Sequence, residues 1–276
     1  MMVVEIAAGW WYNSMALLAD GWHMSSHALA IGLSAFAYAA ARRYSHDPRF
    51  AFGTWKIEIL GGFASAIILL AIAALMVAGS VERLLAPVAI GYREAIFVAV
   101  IGLIVNVVCA LILGHAHDHD HHHHDDDGHH HHDLNLRSAY VHVIADAATS
   151  VLAIAALTGG LLFGWAWLDP VMGIAGAVLV AVWAKGLLAD TGKVLLDREM
   201  DHSVVEEIRQ LLTAPDLEDT ELTDLHVWRV GRHAYACAVS LTTRNRTLTP
   251  AAVRQRLAVH EEIAHLTIEI EQLPAL

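Results

Sequence analysis

Long blocks of apolar residues run through the chain up to about residue 190. A bilayer core of roughly 30 Å is crossed by about 20 apolar residues in a helix. Three blocks meet this requirement: Ile59–Val81 and Ile96–Gly114, which contain no charged residue, and Val171–Ala189, which contains only Lys185. These blocks predict membrane-spanning helices.

Three more apolar segments complete a predicted α-helical membrane bundle of the six-helix type. Met1–Trp11 is too short to span a bilayer and lacks the basic start of a signal peptide, so we interpret it as the remainder of a truncated first helix. The six segments in order are Met1–Trp11, Asn13–Ala41, Glu58–Leu85, Glu94–Gly114, Leu134–Phe163, and a last one from the Asp169-Pro170 turn to about Leu196.

Beyond residue 200 the hydrophobic pattern is that of a water-soluble module. Apolar residues recur at helical spacing from Val204 to Leu212, and Glu221–Val230 and Ala234–Thr243 read as a hairpin of two strands. A helix from Pro250 to about Ile263 and a strand at Leu266–Glu271 follow. We therefore predict a transmembrane domain at 1–199 and a cytoplasmic α+β domain of ferredoxin-like type at 200–276.

Charge and cysteine content exclude some kinds of protein. The net charge of −12 argues against nucleic-acid binding, which needs a basic surface. Cys109 and Cys237 are placed for neither a disulfide framework nor a thiolate metal site. His260, Glu261 and His265 resemble a zinc-protease helix, but Ala264 stands where the second histidine is needed, so a metalloenzyme is not predicted.

Basic residues in the short loops predict the orientation in the membrane. They are concentrated after the second, fourth and sixth segments (Arg42, Arg43, Arg49, Lys56, Arg137, Lys193, Arg198), whereas the opposite side has mainly Arg83 and Arg93. We expect a multi-pass protein, for example of a bacterial inner membrane, whose C-terminal domain and histidine-rich loop are cytoplasmic.

Ionisable residues inside two of the predicted spans indicate a metal site. His23 and His27 are spaced i, i+4 on the second segment, and His142 and Asp146 have the same spacing on the fifth. Residues at this spacing share a helix face, and intramembrane ionisable groups face a bundle interior or a cavity. Three imidazoles and one carboxylate suit Zn²⁺, Co²⁺ or Ni²⁺. The alternative is a set of interhelical hydrogen bonds in a polar core.

Several motifs, taken together, resemble the cation diffusion facilitator family. They are Leu17–Met24 (LLADGWHM), Phe52–Glu58 (FGTWKIE), His142–Asp146 (HVIAD) and Asp224–Trp228 (DLHVW). The likeness runs in order along nearly the whole chain. It implies a homodimer that exports divalent metal from the cytoplasm, usually in exchange for protons.

By position, the resemblance places the transport site at His23, His27, His142 and Asp146. His27 stands where most members have Asp, which resembles the subgroup associated with cobalt and nickel tolerance. Lys56 and Asp197 match a pair that forms an ionic lock at the dimer interface of some members. The alternative for this pair is an ordinary loop lysine and a helix-end aspartate.

Other histidines are weaker candidates for metal ligands. His46 and Asp47 do not align with the family's accessory loop ligands, and the tail has Thr223 and Val239 where some members have ligands. We interpret the remaining tail histidines (His226, His233, His260, His265) as ordinary surface or strand residues. The insert His115–Asp133 is too polar to form a core and is expected to bind metal loosely.

The chemistry of the ligands predicts competition between metal and protons. Only neutral imidazole coordinates metal, and histidine titrates near pH 6.5, so protons can displace the ion. Asp20, one turn before His23, is a candidate for proton relay or for a purely structural role. The rival function is a membrane-bound metal sensor, which would tolerate loss of His23 or Asp146.

Overall fold

Six helices follow one another in the first part of the chain. The computed structural model describes the backbone of residues 1–118, 130–217 and 219–274, and the side chains within these ranges except at 110, 113–118 and 130–146. The helices are α1 (Met2–Trp11), α2 (Met15–Arg43), α3 (Trp55–Leu85), α4 (Tyr92–Asp118), α5 (His130–Phe163) and α6 (Leu168–Leu195). Asn13, with a left-handed backbone (φ 59°), separates α1 from α2.

Four of the helices are long and apolar enough to cross a membrane, within the part of the chain that the structure describes. They are α2, α3, α4 over Tyr92–Cys109, and α6. The helix α1 and the described apolar part of α5, Ala147–Phe163, are shorter. The prediction of an integral membrane domain is confirmed, whereas a count of six spanning helices stays a prediction.

The chain forms two compact units. One contains residues 1–31 and 65–185, and the other contains residues 32–64 and 186–276. Each of the helices α2, α3 and α6 is therefore divided between the two units. The boundary between residues 199 and 200 stays a prediction.

Small residues bring α2 and α6 together in the first unit. A β-carbon added at Gly176 would lie 2.9 Å from Cβ of Ala19, and one added at Gly173 would lie 2.9 Å from Cβ of Met15. Ala19 also packs with Ala73 of α3 in one buried cluster. Close backbone approach through small residues is typical of helices in membranes. This packing fixes the position of α2, the helix with the two predicted histidine ligands.

A buried carboxylate caps the start of α2. Asp169, at the start of α6, is 1% exposed and accepts hydrogen bonds from the Ser14 hydroxyl at 2.7 Å and from the backbone N–H of Met15 and Ala16 at 2.7 and 3.1 Å. The first N–H groups of a helix have no partner within the helix, and a negative charge there is favourable. The predicted turn at Asp169 therefore joins α6 to α2.

The second unit contains the predicted C-terminal module. Its elements are α7 (Ser203–Leu212), β1 (Thr220–Gly231), β2 (Ala234–Thr243), α8 (Pro250–Arg256) and β3 (Ile263–Gln272). The sheet order is β1-β2-β3, with β1 and β2 antiparallel and β2 and β3 parallel. Val205 and Ile208 of α7 and Val253 of α8 pack against the sheet. The element order agrees with the prediction, and the ferredoxin-like type stays a prediction.

One predicted boundary in this module is wrong. The helix from Pro250 ends at Arg256, a short 3₁₀ turn covers Leu257–Val259, and the last strand begins at Ile263 instead of Leu266. Ile263 is already paired with Tyr235, whose N–H donates to the carbonyl of Glu262 at 2.8 Å. Pairing with β2 therefore draws residues into the sheet that helical spacing alone had assigned to the helix.

The loop between α2 and α3 packs on this sheet. Phe52 makes edge-to-face contacts with Trp228 of β1 and His265 of β3, with ring centroids 5.8 and 5.5 Å apart. Trp228 and His265 both pair with Ala236 of β2, so Phe52 bridges the two edge strands. The Thr54 hydroxyl donates to the carbonyl of Ala41 at 2.7 Å and holds the loop to the end of α2.

Candidate metal centre

The two predicted ligands of α2 lie side by side. His23 is buried at 6% exposure and His27 is partly buried. Their ring centroids are 5.0 Å apart and the ring planes stand at 87°. The structure therefore confirms that the i, i+4 spacing brings these two imidazoles into contact.

Asp20 connects the histidine helix to α5. It is 4% exposed and accepts hydrogen bonds from the Thr149 hydroxyl at 3.0 Å and the Ser150 hydroxyl at 2.7 Å. Asn106 of α4 reaches the Ser150 hydroxyl at 3.5 Å. A buried carboxylate needs such donors, because an unpaired charge inside a bundle is costly. Asp20 therefore fixes the register between α2 and α5 one turn before His23.

Trp183 of α6 is the third aromatic ring at this point. Its centroid lies 5.5 Å from that of His27 and 6.4 Å from that of His23. The close contacts of α2 with Gly173 and Gly176 lie on the same face of α6, two to three turns earlier. The α2–α6 contact that begins at Met15 thus continues to the histidine pair.

A cavity of about 250 Å³ opens beside His23. His23, Asp20 and Thr149 provide its polar groups, and apolar residues of α2, α5 and α6 provide the rest of its wall. Ala16 and Met172 line it as well. Because α2 begins at Met15 and α6 at Leu168, the cavity extends from the histidine towards the end of the bundle where both helices begin. Its volume is ample for a hydrated ion.

The other two predicted ligands, His142 and Asp146, lie outside the described side chains. Within the described part, no group of three or more His, Cys, Asp or Glu residues is arranged to hold a metal ion. The complete four-residue set of His23, His27, His142 and Asp146 therefore stays a prediction.

Lys56 and Asp197 are joined within a single chain. Lys56 Nζ lies 2.6 Å from Oδ1 of Asp197, which follows α6 and has a left-handed backbone (φ 52°). Nearby, Arg232 of the β1–β2 turn lies 3.7 Å from Glu58 at the start of α3. Both pairs belong to the second unit and hold the start of α3 against the C-terminal module.

The weaker metal candidates have other partners. Asp47 makes a two-pronged salt bridge with Arg49 at 2.6–3.0 Å, and this hydrogen bonding holds the pKa of the Asp47 carboxyl below its usual value. His226 lies 3.0 Å from Asp224, and His265 lies 3.3 Å from the Thr267 hydroxyl and against Phe52.

Two tail positions where some family members place ligands have no ligand role in this structure. Val239 is buried in the core of the C-terminal module, and the Thr223 hydroxyl donates to the carbonyl of Ser240. Burial also raises the pKa of the Cys237 thiol to about 11, which disfavours the thiolate that a metal would need.

Sequence reasoning missed one buried ionisable residue. Glu5 of α1 has 0% exposure and lies against α4, where a β-carbon added at Gly102 would collide with its Oε1. Within the described part of the chain, neither of its carboxyl oxygens has a hydrogen-bond partner. The available signal was a single charged residue in an otherwise apolar segment, the kind of residue that marks a functional position in a membrane protein.

Comparison with known proteins gives a consistent result along the whole chain. A family profile described as "Cation efflux transmembrane domain" matches residues 1–196. The "Cadmium, cobalt and zinc/H(+)-K(+) antiporter" of Bacillus subtilis is 28% identical over 280 residues, which cover 98% of this chain and 84% of the relative.

Two further relatives extend this likeness to other organisms. "Zinc transporter ZitB" of Yersinia pestis is 29% identical over 277 residues, covering 98% of this chain and 83% of the relative. "Zinc transporter ttm-1" of Caenorhabditis elegans is 30% identical over 284 residues, covering 98% and 68%.

Proposed function

Because the chain belongs to the cation diffusion facilitator family, whose members are transporters and not enzymes, we propose that it exports zinc ions from the cytoplasm in exchange for protons. The observation that carries this proposal is the contact between His23 and His27 on α2, next to a carboxylate bound by α5. Cobalt and nickel are further candidate substrates, because imidazole and carboxylate ligands accept all three ions. Relatives named for cadmium, cobalt and zinc support this substrate class.

We place the complete site between α2 and α5. The end of α5 lies close in the chain to the start of α6, and Asp169 of α6 caps the start of α2, so α2 and α5 are antiparallel. Asp20 binds Ser150, and along this antiparallel pair His23 and His27 follow Asp20 while Asp146 and His142 precede Ser150. This register would oppose the two predicted ligands of α2 to the two predicted ligands of α5.

The cavity beside His23 provides a release route. It leads towards the end of the bundle at which α2 and α6 begin, whereas α2 ends at Arg42 and Arg43. The positive-inside rule puts the basic end in the cytoplasm. In this orientation the cavity lies between the histidine and the non-cytoplasmic end of the bundle, the side to which an exporter releases its ion.

Exchange follows from the chemistry of the ligands. Metal binding requires neutral imidazoles, and protons arriving from outside through the cavity compete for the same nitrogens. A rocking of α5 and α6 against α2 would then expose the proton-loaded site to the cytoplasm, as in alternating access. We propose that the chain works as a homodimer and that the histidine-rich insert raises the local metal concentration at the cytoplasmic mouth.

Zinc uptake into proteoliposomes under an imposed pH gradient tests the function, with cobalt and nickel measured in parallel. We expect zinc uptake by the parent chain. In His23→Ala and Asp146→Ala, the rate of uptake should fall by more than about 10–100-fold, which is the reduction caused by loss of a residue that only supports a metal ligand. His233→Ala, in the exposed β1–β2 turn, is the matched control and should transport normally.

Two other results would contradict the proposed function or the proposed site. Tight metal binding without uptake of any of the three ions would indicate the metal sensor. Normal zinc uptake by His23→Ala would show that the metal site does not include His23 of α2.

A further inference from the structure

We propose that Glu5 is a proton-carrying residue of the exchange cycle, connected to the metal site through Asp20 and separate from the metal ligands. This inference rests on the proposed metal–proton exchange and names a group that the exchange uses. Glu5 lies eighteen residues before His23, on a different helix.

The first argument is the cost of a buried charge. Glu5 is fully buried, and within the described part of the chain its two oxygens have no hydrogen-bond donor. An isolated carboxylate in a low-dielectric interior is unfavourable by several kcal/mol, and the group escapes this cost by taking up a proton. A carboxyl group that is neutral at rest can release its proton when a nearby positive charge or water arrives.

The second argument is the space made for the carboxyl group. Gly102 of α4 lets Oε1 approach the helix backbone, and a β-carbon there would collide with it. On α2, a β-carbon added at Gly21 would lie 3.1 Å from Cβ of Glu5. Glycines on two different helices therefore accommodate this one side chain. An alanine at Gly102 would collide with the Glu5 carboxyl group, and an alanine at Gly21 would collide with Ile6 of α1 and crowd Glu5.

The third argument is a set of polar groups on α4, α5 and α2 that lies near Glu5 at one end and near the histidines at the other. Asn106 lies one turn after Gly102 on the same face of α4 and reaches Ser150, which donates to Asp20. Glu5 also lies next to Gly21, the residue after Asp20, because a β-carbon added at Gly21 would lie 3.1 Å from Cβ of Glu5. Asp20 lies one turn before His23. These polar groups begin one helical turn from Gly102, where Glu5 contacts α4, and end one turn before His23.

The titratable groups that face Glu5 are few. On α2, Asp20 directly precedes Gly21, the residue that Glu5 approaches. The adjoining turns of α4 contribute Gly102 and Asn106, which do not titrate.

The test separates proton coupling from metal movement. Parent chain and Glu5→Gln are reconstituted in proteoliposomes, and three quantities are measured: zinc binding, zinc counterflow at equal pH on both sides, and zinc-driven proton flux reported by a trapped pH dye. Glutamine has nearly the same shape as glutamate and cannot carry the proton. We expect normal binding and counterflow, with proton flux reduced about tenfold or more, and recovery of most of the flux in Glu5→Asp.

Matched controls make the outcome specific. Glu94→Gln changes an exposed acidic residue of α4 and should leave all three quantities unchanged. Proton flux that persists in Glu5→Gln would overturn the proposal, and so would loss of binding and counterflow, which would assign Glu5 to the fold or to the metal site. Absence of zinc-driven proton flux in the parent chain would instead refute the exchange itself.

Discussion

Removal of the Asp169 carboxylate tests whether the α2–α6 junction holds the histidine helix in place. In Asp169→Ala, the hydroxyl of Ser14 and the N–H groups of Met15 and Ala16 lose their acceptor at a site that is 1% exposed. A hydrogen bond to a charged group contributes about 1.5–3 kcal/mol, and an anion at a helix start adds up to about 2 kcal/mol. Because such terms are not additive, we expect a loss of about 3–5 kcal/mol, as for other broken buried networks.

The free energy of unfolding is measured in detergent by denaturant titration, followed by tryptophan fluorescence. Asp169→Asn retains one acceptor oxygen and should lose about half as much. Asp190→Ala, at an exposed position of the same helix, is the control and should change stability by less than about 0.5 kcal/mol. A loss below about 1 kcal/mol in Asp169→Ala would refute the view that this cap holds α2.

Three further predictions follow from individual contacts. Trp183→Phe should remove most of the zinc-dependent change in tryptophan fluorescence, because Trp183 contacts both histidine rings; an unchanged response would place the ion elsewhere. Cys237 should react with iodoacetamide at pH 8 about 100-fold more slowly than an ordinary thiol, since its pKa is raised from 9.0 to about 11 and its thiolate population falls accordingly; fast labelling of the folded protein would contradict its burial. A double-mutant cycle on Lys56 and Asp197 should give a coupling of about 1 kcal/mol or less that declines with salt, because both side chains are partly exposed; a large, salt-independent value would argue against this solvent-exposed pair.

The sequence was sufficient to predict features that depend on local spacing. The spans follow from the length of apolar runs, which the bilayer thickness dictates, and the His23–His27 contact follows from the pitch of a helix. The hairpin at Gly231–His233 was likewise found from its turn residues and the flanking alternation.

Features that depend on how helices rotate against one another were not predictable in this way. In the sequence, Trp183 is one of many apolar residues of α6. Its contact with the histidines depends on where Gly173 and Gly176 contact α2. The burial of Glu5 was not predicted, because it depends on how α1 packs against Gly102 of α4 and not on any pattern within the segment itself. The end of α8 was misplaced because strand pairing at Ile263 outweighs helical spacing.

The described contacts give α2 three separate attachments. Asp169 of α6 holds its start, the hydroxyl of Ser150 on α5 binds Asp20 one turn before the site, and Trp183 of α6 contacts the histidine rings. Asp169 and Trp183 both belong to α6, so a movement of α6 alone would displace both of them relative to α2. The contact between Asp20 and Ser150 would stay in place. In the proposed cycle, a movement of α5 would break the Asp20 contact, because Ser150 moves with α5, and it would separate the predicted ligands His142 and Asp146 from those of α2. In the proposed site, one displacement of α5 would therefore release the metal and leave the ligand nitrogens free to take up protons.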